Sequence, residues 1–227
     1  LLADRAPGAW LSEHDAKALL REAGIPVVPG RVAADADDAV TILVELGPPV
    51  AAKLSGEGVR HKSDLGALAL DLHTEDELRS AHERLIALGE GDVLVERLAA
   101  PGVELLVAAQ RDGVVPSLVV GLGGVWTETL DDAAIVPLPA GPERVERALR
   151  RLRGASLLTG GRGRPELDVA TAAAVAAAAG ELLLSAELDL LELNPVVVYE
   201  DGAVVVDALG RASIAAAPTP SSTAVSR

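Results

Sequence analysis

The chain has 227 residues, enough for one large domain or two small ones, and 49% of them are hydrophobic, which argues against a wholly disordered protein. Its formal net charge of −14 disfavours binding to the nucleic acid backbone, and the absence of cysteine excludes disulfides and fits a reducing compartment. No apolar run reaches the roughly 18 residues of a membrane span and no signal peptide is recognisable, so we expect a cytoplasmic protein that binds neither nucleic acid nor membrane.

Helices and strands alternate in the N-terminal part of the chain. Three capping patterns predict helix N-termini, at Ser12, Asp35 and Thr74. The first of these helices is expected to run to Ala23 and to stop at Gly24. Three apolar runs are of strand type, at residues 25–28, 50–54 and 93–96. The polar stretch over residues 55–66 is too long for a tight turn, which is typical of a functional or disordered loop.

The pattern changes near residue 97 to strands that follow one another directly, which indicates an antiparallel sheet. Strands are predicted at 103–110, 117–121, 126–136, 190–199 and 203–209, and helices at 142–153 and 167–187. We therefore expect an α+β chain of two sublobes. The predicted divisions are an N-terminal extension at 1–10, a first sublobe at 11–97, a second at 98–213 and a disordered tail at 214–227.

The sharpest local chemistry is the sequence Leu-Glu-Leu-Asn-Pro at 191–195. Because strand side chains alternate between faces, Glu192 and Asn194 point the same way. If residues 201–202 (Asp-Gly) form a hairpin turn, Asp207 lies on that face as well, diagonal to Asn194. A few hard oxygen ligands suit Mg²⁺, which keeps waters and phosphate oxygens as its other ligands. The alternative is a set of polar residues on the wet face of an edge hairpin.

Other polar features admit both a phosphate-binding and a purely structural interpretation. Lys53 lies within an apolar strand, where a buried ammonium needs an anionic partner such as phosphate, unless the side chain reaches solvent from an edge. Residues 61–64 (His-Lys-Ser-Asp) combine an imidazole, a cation and a carboxylate, as phosphoryl chemistry would need, or form a solvated loop. The glycine turn at 121–124 and the Arg-Gly-Arg run at 162–164 could each contact phosphate or be an ordinary loop.

The order of the motifs is more specific than any one of them. The series is Leu-Ser-Glu at 11–13, Gly-Ile-Pro at 24–26, Lys53, His-Lys-Ser-Asp at 61–64, Gly-Val-Glu at 102–104, Gly-Leu-Gly-Gly at 121–124, Arg-Gly-Arg-Pro at 162–165 and Glu-Leu-Asn-Pro at 192–195. From about Leu11 to Arg211 the chain resembles the ATP-grasp region of ADP-forming acetate–CoA ligases, and more distantly the β subunit of succinyl-CoA synthetase. The resemblance implies an ATP-grasp fold that binds the nucleotide between two α/β sublobes.

The resemblance also implies roles for individual residues. The implied nucleotide-binding residues are Lys53 at the phosphates, the hinge strand at Glu96, Arg97 and Leu98, Glu104 at the ribose, and Gly123 and Gly124 of the glycine turn. Asn194 and Asp207 are implied to bind Mg²⁺. His61 is implied to carry the phosphoryl group, and Glu192 to steady the phosphohistidine.

The implied cofactors are ATP or ADP and Mg²⁺. The family's CoA-binding and swinging-histidine parts lie outside this sequence, so we expect a partner subunit or domain that supplies them and through which acyl-CoA and phosphate enter. The absence of methionine agrees with a trimmed chain or a piece of a longer protein. Two departures from the family pattern, Asp131-Asp132 in place of Lys-Asp and Val136 in place of Arg, could alter the phosphate pocket or a subunit contact.

We expect the nucleotide half of an acid–CoA ligase (ADP-forming), which transfers a phosphoryl group between ATP or ADP and histidine. Two alternatives stay open: a degenerate ATP-grasp module that senses nucleotide, and an ATP-grasp ligase that works through an acyl phosphate. His61 argues against the second alternative, because such ligases need no histidine relay. Asp131 and Val136 keep the first alternative open.

Overall fold

The computed structural model describes residues 5–57, 66–111, 114–124, 132–161 and 163–214. The helices in these ranges are α1 (Glu13–Glu22), α2 (Ala36–Leu46), α3 (Glu75–Ile86), α4 (Pro142–Leu149) and α5 (Val169–Ser185), with a 3-10 turn at Ala155–Leu157. The strands are β1 (Gly30–Ala33), β2 (Val50–Ser55), β3 (Leu68–Leu72), β4 (Asp92–Arg97), β5 (Val103–Gln110), β6 (Ser117–Leu122), β7 (Ala133–Pro137), β8 (Leu188–Tyr199), β9 (Gly202–Val205) and β10 (Ala208–Ala212).

The strands form two antiparallel sheets. The first sheet has the order β1-β4-β2-β3, and the second has the order β10-β8-β5-β6-β7, with β9 paired to β8. The predicted α+β class and antiparallel second sheet are confirmed. None of the described helices is long and apolar enough to cross a membrane.

The three predicted helix N-termini are confirmed. Each capping side chain accepts a hydrogen bond from the backbone amide three residues later, at Ser12, Asp35 and Thr74. Helix α1 ends at Glu22, and Gly24 follows with φ of 74°, a conformation that glycine adopts without steric cost. These ends are set by local hydrogen bonds, which is why the sequence predicts them well.

The strand predicted at residues 25–28 is wrong. Val27 makes only an isolated bridge to Val205, and β1 begins at Gly30. Prolines 26 and 29 have no amide proton, so this stretch cannot complete a ladder; their carbonyls instead accept from Val205 and Arg97. Strand β3 was not predicted, and most of the polar stretch before it, residues 58–65, lies outside the described residues.

In the second sheet, β5 has the predicted bounds, and β6 and β8 are longer than predicted by one and two residues, whereas other elements are shorter. Strand β7 covers only the end of the run predicted at 126–136, of which residues 126–131 lie outside the described residues. Helix α4 ends at Leu149, before the predicted end at Arg153. The single strand predicted at 203–209 is two strands, β9 and β10, separated by Val206 and Asp207.

Each sheet has its own hydrophobic core. Helices α2 and α3 cover the first sheet, and α5 covers the second. Helix α1 packs on the second sheet through Ala16 and Leu20, together with Leu11 just before it. It therefore links the two sheets, since its polar residues reach the first one. The division into sublobes at residue 97 stays a prediction. That division placed α1 in the first sublobe, whereas α1 packs on the second sheet.

Candidate functional site

A cleft of about 890 Å³ lies between the two sheets. That volume is within the usual range for small-molecule sites. Six of the residues implied by the resemblance line it: Lys53, Leu98, Glu104, Glu192, Asn194 and Asp207. Glu13 lines the cleft as well, and apolar side chains, among them Trp10, Leu68, Leu70 and Leu190, line most of the rest of the surface. The cleft thus combines apolar walls with a few convergent polar groups.

The five other implied residues are outside the cleft lining. Glu96 is buried below it, Arg97 points away from it, and Gly123 and Gly124 lie against Glu104. His61 lies outside the described residues, as do Arg162 and Asp131. The roles of these residues therefore stay predictions.

The hairpin that carries Asn194 and Asp207 has a different register from the one expected. Strand β8 pairs with β9 through Tyr199↔Gly202 and with β10 through Leu193↔Ala208, so residues 200–201 form the turn rather than 201–202. The same register puts Asp207 directly across from Asn194, whose backbone amide donates to the Asp207 carbonyl at 3.1 Å. The predicted diagonal placement is wrong by two residues. A shift of two leaves the predicted face unchanged, because side chains alternate with a period of two.

The donor set suits Mg²⁺. Among the described residues no group of three or more His, Cys, Asp or Glu side chains is arranged to hold a metal ion. The cleft offers instead the Asp207 carboxylate and the Asn194 amide, whose Nδ2 donates to Glu192 Oε1 at 3.4 Å and so leaves its oxygen as the coordinating end. Mg²⁺ is typically bound by one or two protein oxygens, with water and phosphate completing an octahedron. The residues present fit such a site.

Lys53 is held by protein groups. It is 5% exposed, and its Nζ lies 2.8 Å from Glu13 Oε1 and 3.0 Å from Glu96 Oε2. It also donates to the Val206 carbonyl at 2.8 Å. An ammonium has three hydrogens, so these contacts occupy its donors. A phosphate contact from Lys53 stays a prediction and requires that one of these bonds be exchanged.

Two charged residues at the cleft were not among the predicted site residues: Glu13, which lines the cleft, and Lys17, which is buried against Glu13. Lys17 is 0% exposed, and its Nζ lies 2.6 Å from Glu13 Oε1, 2.6 Å from Glu96 Oε1 and 2.6 Å from the Val206 carbonyl. A signal was present in the sequence: Glu13 and Lys17 are four residues apart, on the helix face that also carries Ala16 and Leu20. We call Glu13, Lys17, Lys53 and Glu96 the buried ion cluster.

The two ammonium groups of the buried ion cluster titrate differently. Burial and the neighbouring Lys53 ammonium lower the pKa of Lys17, against the attraction of Glu13 and Glu96. Burial also lowers the pKa of Lys53, but the carboxylates of Glu13, Glu96 and Asp207 outweigh it and leave that pKa raised. Since Asp207 contributes to this field, the buried ion cluster and the cleft share one electrostatic environment.

The backbone that follows β4 forms one wall of the cleft. The amides of Arg97 and Leu98 donate to the carbonyls of Pro29 at 2.9 Å and Pro49 at 3.1 Å. The Arg97 guanidinium donates to the Leu46 carbonyl at 2.9 Å, while the Leu98 side chain lines the cleft. The expected contact between this backbone and adenine stays a prediction, and it would use groups other than these two amides.

The glycine turn is packed against Glu104. The Gly123 amide donates to the Glu104 carbonyl at 2.7 Å, and a Cβ atom on Gly123 would lie 2.9 Å from the carbonyl carbon of Leu105. Gly124 has φ of 62°, and a Cβ atom there would overlap the Glu104 carboxylate. Both positions therefore require glycine, and they fix where Glu104 sits at the cleft.

Gly124→Ala is expected to weaken nucleotide binding by roughly tenfold, the equivalent of one lost hydrogen bond, because the methyl group must displace the Glu104 carboxylate. Titration with MgADP measures the effect. Gly141→Ala is the matched control, since a Cβ atom there meets nothing within 4 Å and its φ is −77°. Parental affinity in Gly124→Ala would show that Glu104 takes no part in binding.

Of the two residues that depart from the family pattern, Asp131 lies outside the described residues. Its neighbour Asp132, which keeps the aspartate of the family pattern, has a structural role. The Asp132 carboxylate accepts from the amides of Arg153 at 2.9 Å and Gly154 at 2.7 Å. Val136 is buried in the core of the second sheet. Neither residue lines the cleft.

Comparison with known proteins agrees with this geometry. A family model described as an ATP-grasp domain matches residues 3–210. The chain is 30% identical over 214 residues to the beta subunit of acetate–CoA ligase (ADP-forming) I of Pyrococcus furiosus, covering 90% of this chain and 92% of that one. It is 34% identical over 200 residues to acetate–CoA ligase (ADP-forming) II of Archaeoglobus fulgidus, covering 87% of this chain but only 30% of that protein's length.

Solved structures include a similar fold. An acetyl-coenzyme A synthetase 1 of Ca. Korarchaeum cryptofilum was solved in complex with coenzyme A and Mg-AMPPCP, its phosphohistidine segment pointing towards the nucleotide binding site. The TM-score is 0.78 with 34% sequence identity, over 88% of this chain and 92% of that one. The expected fold is confirmed, and the chain belongs to the ATP-grasp domain family.

Proposed function

We propose that this chain is the nucleotide-binding part of an ADP-forming acyl-CoA synthetase of the acetate type, which transfers a phosphoryl group between ATP or ADP and a histidine. The observation that carries the proposal is the cleft, where Glu104, Glu192, Asn194 and Asp207 from two strands and a strand junction converge between apolar walls. The relatives named above are ADP-forming ligases or an acetyl-coenzyme A synthetase, which supports the same reaction class. Among the described residues that line the cleft, none favours nucleotide sensing or acyl-phosphate chemistry over this reaction.

The proposed residue roles follow from position and charge. Asn194 and Asp207 would hold Mg²⁺, which neutralises phosphate charge and aligns the transferred group when bound. Glu104 would contact the ribose from β5, and Glu192, beside Asn194, would orient the histidine that accepts the phosphoryl group. Leu98 and the neighbouring apolar residues would enclose the adenine, because a flat base is bound well between apolar walls.

The proposal includes a partner. A CoA-binding subunit or domain with a swinging histidine would bring acyl-CoA and phosphate to this chain. The Pyrococcus furiosus relative is named as a beta subunit, and the chain spans only 30% of the Archaeoglobus fulgidus relative, which supports such a division. A cytoplasmic location is also proposed, since a chain without cysteine fits a reducing compartment.

The test is phosphohistidine formation on His61. An imidazole is a neutral nucleophile near neutral pH, so it can take the γ-phosphoryl group from ATP and leave ADP. The protein is incubated with its partner, Mg²⁺ and γ-labelled ATP, and acid-labile, base-stable label is measured. We expect label in the parent and in His73→Ala, whose imidazole is exposed beside Asp71, and none on His61→Ala.

Three outcomes would contradict this proposal. Label that persists on His61→Ala would remove His61 from the relay. Acyl-CoA formation by the assembled enzyme without any phosphohistidine would favour an acyl-phosphate ligase, and nucleotide binding without label or product would favour a sensor.

A further inference from the structure

The buried ion cluster connects the two sheets. Glu13 and Lys17 come from α1, which packs on the second sheet, whereas Lys53 and Glu96 come from strands β2 and β4 of the first. The four residues are between 0% and 5% exposed, and their formal charges sum to zero. Each ammonium lies within 3.0 Å of both carboxylates. Ionic contacts of this kind fix geometry, because buried charges tolerate little displacement from their partners.

Both lysines also donate to one backbone carbonyl. The Val206 carbonyl accepts from Lys17 Nζ at 2.6 Å and from Lys53 Nζ at 2.8 Å. Val206 lies across from Pro195, to whose carbonyl it donates its own amide at 3.0 Å. Proline has no amide proton, so β8 cannot return a hydrogen bond to the Val206 carbonyl. The two ammonium groups satisfy this carbonyl in place of the ladder.

Val206 immediately precedes Asp207 in the gap between β9 and β10. The Val206 carbonyl belongs to the peptide unit that ends at the Asp207 nitrogen. Rotation of that unit would swing the Asp207 Cα and its carboxylate relative to Asn194. The contacts that hold the carbonyl therefore also hold one of the two proposed Mg²⁺ ligands.

We propose that Lys17 is a positioning residue of the Mg²⁺ site: together with Lys53 it fixes the Val206 carbonyl and so keeps the Asp207 carboxylate opposite Asn194. The inference rests on the proposed function of the cleft. Lys17 does not line the cleft, so it acts through the backbone and not by touching nucleotide. Lys53 has the same contact, which adds a positioning role to its expected one at the phosphates. Groups that orient metal ligands from outside commonly change metal affinity by 10–100-fold.

The test compares nucleotide affinity with and without Mg²⁺. The dissociation constant of ADP is measured by calorimetry in EDTA and in excess Mg²⁺. The value in EDTA divided by the value in Mg²⁺, called the Mg²⁺ ratio, reports the contribution of the metal. We expect Lys17→Met to reduce this ratio by about tenfold or more, with the affinity in EDTA changed by less than about twofold. A purely structural role would lower both affinities together or leave both unchanged.

Arg111→Met is the matched control. The half-buried Arg111 guanidinium also holds backbone carbonyls, those of Leu183, Leu184 and Leu188 at 2.7–2.9 Å, but it does so away from the cleft. The Arg111→Met variant should leave the Mg²⁺ ratio at the parental value. A parental ratio in Lys17→Met, or an equal loss in Arg111→Met, would overturn the inference.

Lys17→Met leaves an excess of buried negative charge and could prevent folding, so a second variant is needed. Glu13→Gln/Lys17→Met keeps the cluster neutral and still removes one donor from the Val206 carbonyl. We expect the same loss of the Mg²⁺ ratio in this variant. Recovery of the parental ratio would show that charge balance, and not the bond to the carbonyl, is what matters.

Hydrogen exchange separates this inference from the proposed function. In either variant the amides of Asn194 and Val206, which donate to Asp207 and Pro195, should exchange at least tenfold faster, while the other β8–β9 amides keep their protection. If the parent binds no nucleotide, the proposed function fails, and exchange alone decides whether Lys17 positions Asp207. Unchanged exchange at both amides would overturn the positioning role even if nucleotide binds.

Discussion

Glu96→Ala is expected to lower the free energy of unfolding by about 3–5 kcal/mol, the usual cost of removing one partner from a buried ion pair. Glu96 is 1% exposed and accepts from Lys17 at 2.6 and 2.7 Å, besides lying 3.0 Å from Lys53. Its loss leaves two buried ammonium groups with Glu13 as their one remaining carboxylate in the cluster. Urea unfolding followed by circular dichroism measures the change.

Two further variants make the result interpretable. Asp37→Ala removes an ion pair to Arg79 whose carboxylate side chain is 84% exposed, and we expect no measurable change in stability. Glu96→Ala/Lys17→Met removes one charge of each sign, so it should recover part of the loss, since an unpaired buried charge costs more than a missing pair. A loss below about 1 kcal/mol in Glu96→Ala would mean that the buried ion cluster does not hold the two sheets together.

Asp207→Asn is expected to remove most of the Mg²⁺-dependent stabilisation by nucleotide. At a ligand concentration of 100 times the dissociation constant, the parent should gain about 2.7 kcal/mol. If the variant binds MgADP 100-fold more weakly, the same concentration gives about 0.4 kcal/mol. The exchange of a carboxylate for an amide keeps the size of the side chain but removes the negative charge that a divalent cation requires. Thermal melts with ADP in Mg²⁺ and in EDTA measure the stabilisation by nucleotide that depends on the metal.

The affinity of Asp207→Asn for ADP in EDTA is a second, independent expectation. Without the cation, the Asp207 carboxylate repels the nucleotide phosphates, so Asp207→Asn should bind ADP at least as well as the parent. Asp201→Asn is the matched control, because it makes the same change at the exposed hairpin turn outside the cleft. A parental response to MgADP in Asp207→Asn, or an equal loss in Asp201→Asn, would show that Asp207 is not a metal ligand.

The sequence by itself determined those features that depend on neighbouring residues. The caps at Ser12, Asp35 and Thr74 are hydrogen bonds over three residues, and the helices begin where those patterns predict. The alternation of strand side chains put Asn194 and Asp207 on one face, and an error of two residues in register did not change that face. The ordered series of motifs was sufficient to identify the family, which the family model confirms.

Only the tertiary structure decided what joins the two sheets. Glu13, Lys17, Lys53 and Glu96 are up to 83 residues apart along the chain, and no local pattern relates the α1 pair to the strand pair. Their meeting depends on α1 packing on the second sheet while its polar face turns to the first. The missing ladder hydrogen bond at the Val206 carbonyl could not be predicted from the sequence either. It arises because Pro195, on the partner strand, has no amide proton to donate. Local hydrogen bonds and the alternation of strand side chains depend on residues that are close in sequence, so the sequence predicts them. Charge pairing across sheets depends on contacts that exist only once the chain has folded.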